Sequence, residues 1–322
     1  MEFTFSDVQL SWQAKGRSLG GDLAAGASAA DVIMAAARVG LIDTGADLLA
    51  AALAIESLAQ ASAGAAVTLA VHTSALLAIG ADERFTALAR GEIVGAIAMS
   101  SEQVATEQGS RLSGRALWVG PATDRGLAIV GARAGGPDSI DLVATAVALD
   151  ARGVASEFIA TAGLSGFRCA HVSFSDAPCI VFGAPKAVMT RVRILLAAAG
   201  IGMGRRALAE ALRAAHAYSR TGPGGEQTLQ GLVADAATEL DAASVLMWRA
   251  ACSSPLSLAE ASMAKLAAAE AAMRAVARAS QVAGADAFRQ GNILERLAQD
   301  VRALEVFAGR TEGLREAVAE SL

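Results

Sequence analysis

The chain has 322 residues, long enough for two or three packed layers and more than one domain. Hydrophobic residues make up 54% and aromatic residues 4%, so the core must be mostly Ala, Leu, Val and Ile, a mix that favours close-packed helices. The net charge of -5 argues against a nucleic-acid partner, which needs a basic face.

The first residues, Met1 to Asp7, show no basic region followed by an apolar one, so no secretory leader is read. Ser28-Ala29-Ala30-Asp31 opens an Ala-rich helix with a cap-like serine, and residues 28 to 92 read as helical. Ala46 to Ala59 and Ala65 to Leu77 carry apolar residues at helical spacing, and Gly80-Ala81-Asp82-Glu83 breaks the second. The texture then changes. Ile93 to Ala98, Leu127 to Val130, Ile140 to Thr145 and His171 to Phe174 are short β-branched runs, separated by turn formers such as Gly120-Pro121 and Gly135-Gly136-Pro137-Asp138. From Pro185 the chain returns to long helices, near 186 to 219, 226 to 251, 257 to 283 and 292 to 320. The expected class is α+β, with a helical domain over 1–92, a small β-domain over 93–185 and a helical bundle over 186–322.

The apolar stretch from Ile194 to Gly204 is bounded by Arg193 and Arg205 and is too short to span a membrane. Cys169, Cys179 and Cys252 form no CxxC or Cys/His cluster, which fits buried thiols in a reducing, cytoplasmic setting. His72, His171 and His216 sit on different elements without metal-ligand spacing, so no metal site is expected. Gly-x-Ser-x-Gly and P-loop patterns are absent. Ser262 and Lys265 fit Ser-x-x-Lys but lack the companion motifs that give it meaning. Ala264, Ala267, Ala268, Ala271 and Ala275 share one helical face, small enough for close approach by another helix, and are expected to meet another subunit.

An ordered set of motifs runs from about residue 65 to the end. It comprises Val71-His72 followed by Gly80 to Glu83, then Ala98-Met99-Ser100-Ser101-Glu102, then Leu112-Ser113-Gly114-Arg115-Ala116-Leu117-Trp118. Val172 to Pro178, Arg193 to Leu208, Val233-Ala234-Asp235 and Met263-Ala264-Lys265 follow. The last are Ser280-Gln281-Val282-Ala283-Gly284, Leu294 to Asp300, and Phe307-Ala308-Gly309-Arg310. Together they resemble the acyl-CoA dehydrogenases. The resemblance implies an α-domain, a β-domain and a C-terminal four-helix bundle, with FAD as cofactor.

Carried over position by position, the resemblance places Ser101, Trp118 and Gly120 at the isoalloxazine ring. Gly120 stands where the family has a hydroxyl, so one bond to the ring is lost. An ordinary buried strand aromatic is the competing account of Trp118. Arg220 and Gln227 match residues that hold the FAD phosphates and adenine across a subunit interface, although the Thr221 to Gly225 loop is shortened. Gln281 and Gly284 keep the turn that touches a neighbouring subunit's FAD, Ala285 replaces its second glycine, and a plain helix cap is the alternative for Gly284.

The catalytic carboxylate is missing. Ala308 and Val192 occupy the two positions where the family carries its base, and neither can accept a proton. Such a base typically supplies about a hundredfold to ten-thousandfold in rate. Glu305 and Glu312 are the nearest substitutes, and solvated or interface charges are the competing reading. Asp300 matches the acidic half of an Arg-Asp pair.

The segment Val39 to Gly45 is short where the family carries a substrate loop. Some actinobacterial members of that family pair a base-bearing subunit with a short, base-less one in steroid and related acyl-CoA breakdown. The resemblance therefore implies the non-catalytic subunit of a heteromeric FAD-dependent enzyme that desaturates an acyl-CoA, partnered by a base-bearing homologue or by a second copy. The rival expectations are an active oxidoreductase with a relocated base, and a non-redox acyl-binding or assembly module on the same scaffold.

Overall fold

The structure is a computed structural model that describes residues 4–80, 82–99, 105–137, 139–219 and 226–322. It begins with a helix the apolar pattern does not announce, α1 (Asp7–Asp22). Ser6 and Gln9 form a reciprocal capping box: the Gln9 N–H donates to Ser6 Oγ at 3.3 Å and the Ser6 N–H to Gln9 Oε1 at 2.9 Å. Only Trp12, Gly16 and Leu19 are buried on it, so its apolar stripe is thin. The Ser-x-x-Gln spacing was the signal to read.

Helix α2 (Ala29–Arg38) starts at Ser28, whose Oγ accepts from the Asp31 N–H. Helices α3 (Leu48–Ala59) and α4 (Ala63–Ile79) follow on the two expected segments. Every residue of α4 from Ala63 to Leu76 is buried, on all sides of the helix. A 3-10 turn, Glu83–Phe85, leads into the short α5 (Thr86–Ala89).

The strands are β1 (Val94–Ala98), β2 (Ala105–Gln108), β3 (Arg111–Val119), β4 (Gly126–Ala134), β5 (Leu142–Ala148), β6 (Val154–Ile159), β7 (Cys169–Pro178) and β8 (Ile180–Gly183). They form one sheet in the order β6-β7-β3-β2-β4-β5-β8, with β1 parallel to β4 off that path. Strands β1, β4, β5 and β7 coincide with the β-branched runs. Strands β2, β6 and β8 escaped notice because they are only four to six residues long and partly exposed.

The two-residue period of β4 explains how the sheet serves two cores. Leu127 and Ile129 point to the large helical core, while Ala128, Val130 and Ala132 point to a smaller core inside the β-region.

The C-terminal helices are α6 (Pro185–Ser219), α7 (Glu226–Cys252), α8 (Leu258–Ala283), α9 (Ile293–Val306) and α10 (Thr311–Ala319). Helix α6 is the axle, packing against α3, α4, α7 and α8. By length and hydropathy its segment Pro185–Ala217 could cross a membrane, unlike the short stretch read from the sequence. Its most apolar window is 78% buried against the other helices, as in a core helix.

Three expectations need correction. The alanine face of α8 does not wait for another subunit: Ala264, Ala268, Ala271 and Ala275 are buried within this chain, with Ala268 and Ala272 lying against Gly200 and Gly204 of α6. Small side chains and glycines let these two helices approach closely, and that demand is met internally. The helix expected over 292–320 breaks at Phe307 to Arg310, where Ala308 has φ +57° and Gly309 φ +123°. Cys252 is exposed, unlike Cys169 and Cys179, because it ends α7 at the surface.

Candidate active site

The break between α9 and α10 carries Ala308, where the resemblance expects a base. Two cations brace it from below. Arg193, on α6, donates from Nε to the Ala308 carbonyl at 3.3 Å and from Nη1 to Ser262 Oγ at 2.7 Å. Lys265, on α8 and 1% exposed, donates from Nζ to the carbonyls of Gly309 at 2.8 Å and Glu305 at 3.3 Å. Both cations thus satisfy carbonyls orphaned at a helix end. Burial pushes the Lys265 ammonium down to about 7, helped by the Arg193 charge and opposed by Glu305. The sequence showed Lys265 only as part of a motif; its bracing role depends on residues 40 and 44 positions away.

The substitute carboxylates do not gather at the turn. Glu305 binds Arg302 Nη1 at 2.8 Å and accepts weakly from Thr311 Oγ1 at 3.4 Å. Glu312 is exposed in the first turn of α10, where a carboxylate favours the helix dipole. Val192 is 1% exposed and part of the apolar core. Among the described residues no arginine comes within ion-pair distance of Asp300, although the Arg296 charge acts on it against burial. Its Oδ1 accepts from the Leu164 N–H, tying α9 to the loop before β7, and burial raises its pKa.

Trp118 is not a buried strand aromatic. It lies in a β-bulge between β3 and β7 with φ +55° and is 51% exposed. Its backbone N–H approaches His171 Nδ1 at 3.4 Å, and the two rings meet edge to face with centroids 5.5 Å apart. The exposed indole offers a face on which a planar ring could lie.

Gly120, two residues on, is buried and bridges Ile97 of β1. A Cβ there would stand 2.8 Å from the ring of Phe167 and 3.3 Å from Cys169 Sγ. The hydroxyl absent from Gly120 is therefore replaced by packing and not by an open space. Phe167 is 3% exposed and meets Phe307 edge to face at 5.4 Å.

The remaining candidates lie apart. Gln227 is exposed on α7, and Gln281 and Gly284 are exposed at the end of α8. Gly284 has φ +62° and caps α8, its N–H donating to the Ser280 carbonyl, so the helix-cap account holds for its backbone. Ser101 and Arg220 lie outside the described residues. An open hollow of about 500 Å³ is lined by residues 158 to 168, and neither Trp118, Gly120, Val192 nor Ala308 lines it. Among the described residues no three His, Cys, Asp or Glu side chains gather as metal ligands.

His72 shows how α4 is fastened to the sheet. It is fully buried, and its Nδ1 accepts the Gly95 N–H at 3.0 Å. Burial lowers its pKa from 6.5 to about 4, with the Leu88 carbonyl opposing. The folded chain therefore binds fewer protons than the unfolded chain between these values, so stability is lost as pH falls from 6.5 towards 4. The expected loss is about 3 kcal/mol over that window. Urea melts of the wild type and His72→Gln at pH 7.5 and 4.5 check this; the variant should lose less than the wild type on acidification.

Residues 182–322 match the family model described as acyl-CoA dehydrogenase, C-terminal domain. No curated protein matches the chain in sequence. Among solved structures, butyryl-CoA dehydrogenase from Megasphaera elsdenii is similar at 20% identity and a TM-score of 0.87, over 100% of this chain and 99% of that one. A glutaryl-CoA dehydrogenase from Mycobacterium smegmatis, in complex with FADH2, is similar at 15% identity and 0.82, over 98% and 95%. PigA with FAD and proline is similar at 20% identity and 0.86, over 100% and 99%. At these identities the likeness carries the fold and not the chemistry.

The chain is thus a protein of the acyl-CoA dehydrogenase fold. Its residues 182–322 are similar to the C-terminal domain of the acyl-CoA dehydrogenases.

Proposed function

We propose that this chain is the non-catalytic subunit of a heteromeric FAD-dependent enzyme that desaturates an acyl-CoA. One observation carries the reading. The turn at Phe307 to Arg310 carries Ala308, the residue that matches the family's base, while Arg193 and Lys265 are committed to backbone carbonyls there and to Ser262. A methyl group cannot take the α-proton, Glu305 is engaged by Arg302 and Thr311, and Glu312 is exposed.

The residues fit FAD in part. The exposed indole of Trp118 suits one face of the flavin ring. Gly120 supplies no hydroxyl, and Phe167 covers it. Gln227, Gln281 and Gly284 are exposed, as residues acting on a neighbouring subunit's cofactor would be. When bound, FAD accepts the β-hydrogen as hydride. This chain's contribution is to hold and orient the cofactor across a subunit interface, while a partner's carboxylate removes the α-proton. The solved relatives in complex with FADH2 and with FAD support the cofactor class. Steroid or lipid acyl groups are the substrate class that the resemblance suggests, and the domain limits 1–92, 93–185 and 186–322 are proposed with it.

The visible spectrum tests the proposal. The chain purified alone should carry little flavin. Co-expression with a glutamate-bearing homologue should give stoichiometric FAD that an acyl-CoA bleaches. Rapid bleaching of flavin held by the wild-type chain alone would overturn the non-catalytic reading.

A further inference from the structure

We infer that Phe167 fills the space between Gly120 and Phe307, so that no acyl group can lie there in this chain. The inference rests on the function proposed above. Desaturation requires the reacting Cα–Cβ bond to lie between the base position and the flavin. In this chain the base position is Ala308 and the strand on the flavin side ends at Gly120. A single side chain spans that interval. The Phe167 ring lies 2.8 Å from where a Gly120 Cβ would stand, and its other side meets Phe307, the neighbour of Ala308, at 5.4 Å and 80°. The ring is 3% exposed, so it fills the space and does not merely border it.

The loop that carries Phe167 is held on two sides. On one, the Leu164 N–H donates to Asp300 Oδ1, and Gly163 lies so close to α9 that a Cβ there would be 2.7 Å from the Gln299 carbonyl oxygen. On the other, a Cβ on Gly64 of α4 would be 1.9 Å from the Ser165 carbonyl oxygen. Only glycine permits both approaches, so the backbone before Phe167 is clamped between α9 and α4. The loop's backbone therefore cannot carry the ring away without separating from two helices. Helix α4 offers no alternative groove, since it is buried on every side from Ala63 to Leu76.

The test compares octanoyl-CoA with free CoA by isothermal titration, using the wild-type chain and Phe167→Ala. The wild type should bind octanoyl-CoA no more tightly than CoA. Phe167→Ala should bind it at least about tenfold more tightly, because burying two methylenes already supplies that factor. If Phe167→Ala does not fold by circular dichroism, Phe167→Leu is read in the same way. A wild-type preference of about tenfold or more for octanoyl-CoA overturns the inference. So does a folded variant that gains no preference. Absorbance of FAD added in excess to the same samples separates the two claims: a wild-type preference without bleaching sinks only the filled space, and bleaching sinks the non-catalytic reading as well.

Discussion

Replacing Arg205 by alanine is expected to cost about 3–5 kcal/mol of folding stability, the usual penalty for leaving a buried charge without its partner. Arg205, on α6, donates from Nε to Glu56 Oε1 of α3 at 2.7 Å, and from Nη2 to Asp241 Oδ1 at 3.1 Å and Ser244 Oγ at 3.0 Å on α7. One guanidinium thus ties together three helices from the two ends of the chain. Glu56 is 6% exposed, and burial already raises its pKa against the pull of Arg205.

Without the arginine, the carboxylate must either stay charged in the core or take up a proton. The double variant Arg205→Ala/Glu56→Gln should therefore recover at least half of the loss, since no buried charge remains. Chemical denaturation of the wild type, both single variants and the double variant measures this. A double variant no more stable than Arg205→Ala would show that lost packing, and not the unpaired charge, sets the cost.

Restoring a carboxylate by Ala308→Glu is expected to leave acyl-CoA turnover at the background of the wild-type chain. A correctly placed base would otherwise raise the rate by about a hundredfold to ten-thousandfold. Three features block the gain. Ala308 has φ +57°, a conformation unfavourable for residues with a side chain, so glutamate gains no easy geometry there. The Arg193 and Lys265 contacts hold the turn's carbonyls in place. Phe167 and Phe307 fill the space that the α-carbon needs. Stopped-flow bleaching of added FAD with octanoyl-CoA is the measurement, made on the wild-type chain, Ala308→Glu and Ala308→Glu/Phe167→Ala without the partner subunit. A hundredfold rise in the single variant would mean that the pocket is intact and only the base is missing.

Much of the scaffold was legible along the chain. Helical spacing located α3 and α4, the Ser28 cap located α2, and β-branched runs located β1, β4, β5 and β7, because each signal lies within a few consecutive residues. The absence of a carboxylate at position 308 is likewise a fact about one residue. Even α1 was legible in principle, through Ser6 and Gln9.

What decides the chemistry was not. The direction of the α8 alanine face depends on which helix lies opposite, and periodicity cannot distinguish α6 of the same chain from a helix of another. The exposure of Trp118 follows from a bulge in its pairing with β7, a matter of register between strands more than fifty residues apart, as the separation of 53 between Trp118 and His171 shows. Asp300 meets Leu164 across 136 positions, and Glu56 meets Arg205 across 149. The filling of the space beside Gly120 by Phe167 requires a loop, a strand and a helix break to converge. Local pattern records which face of an element is apolar. Only the packed chain decides which distant face or charge it meets, because those contacts are chosen by shape and desolvation once the elements are brought together.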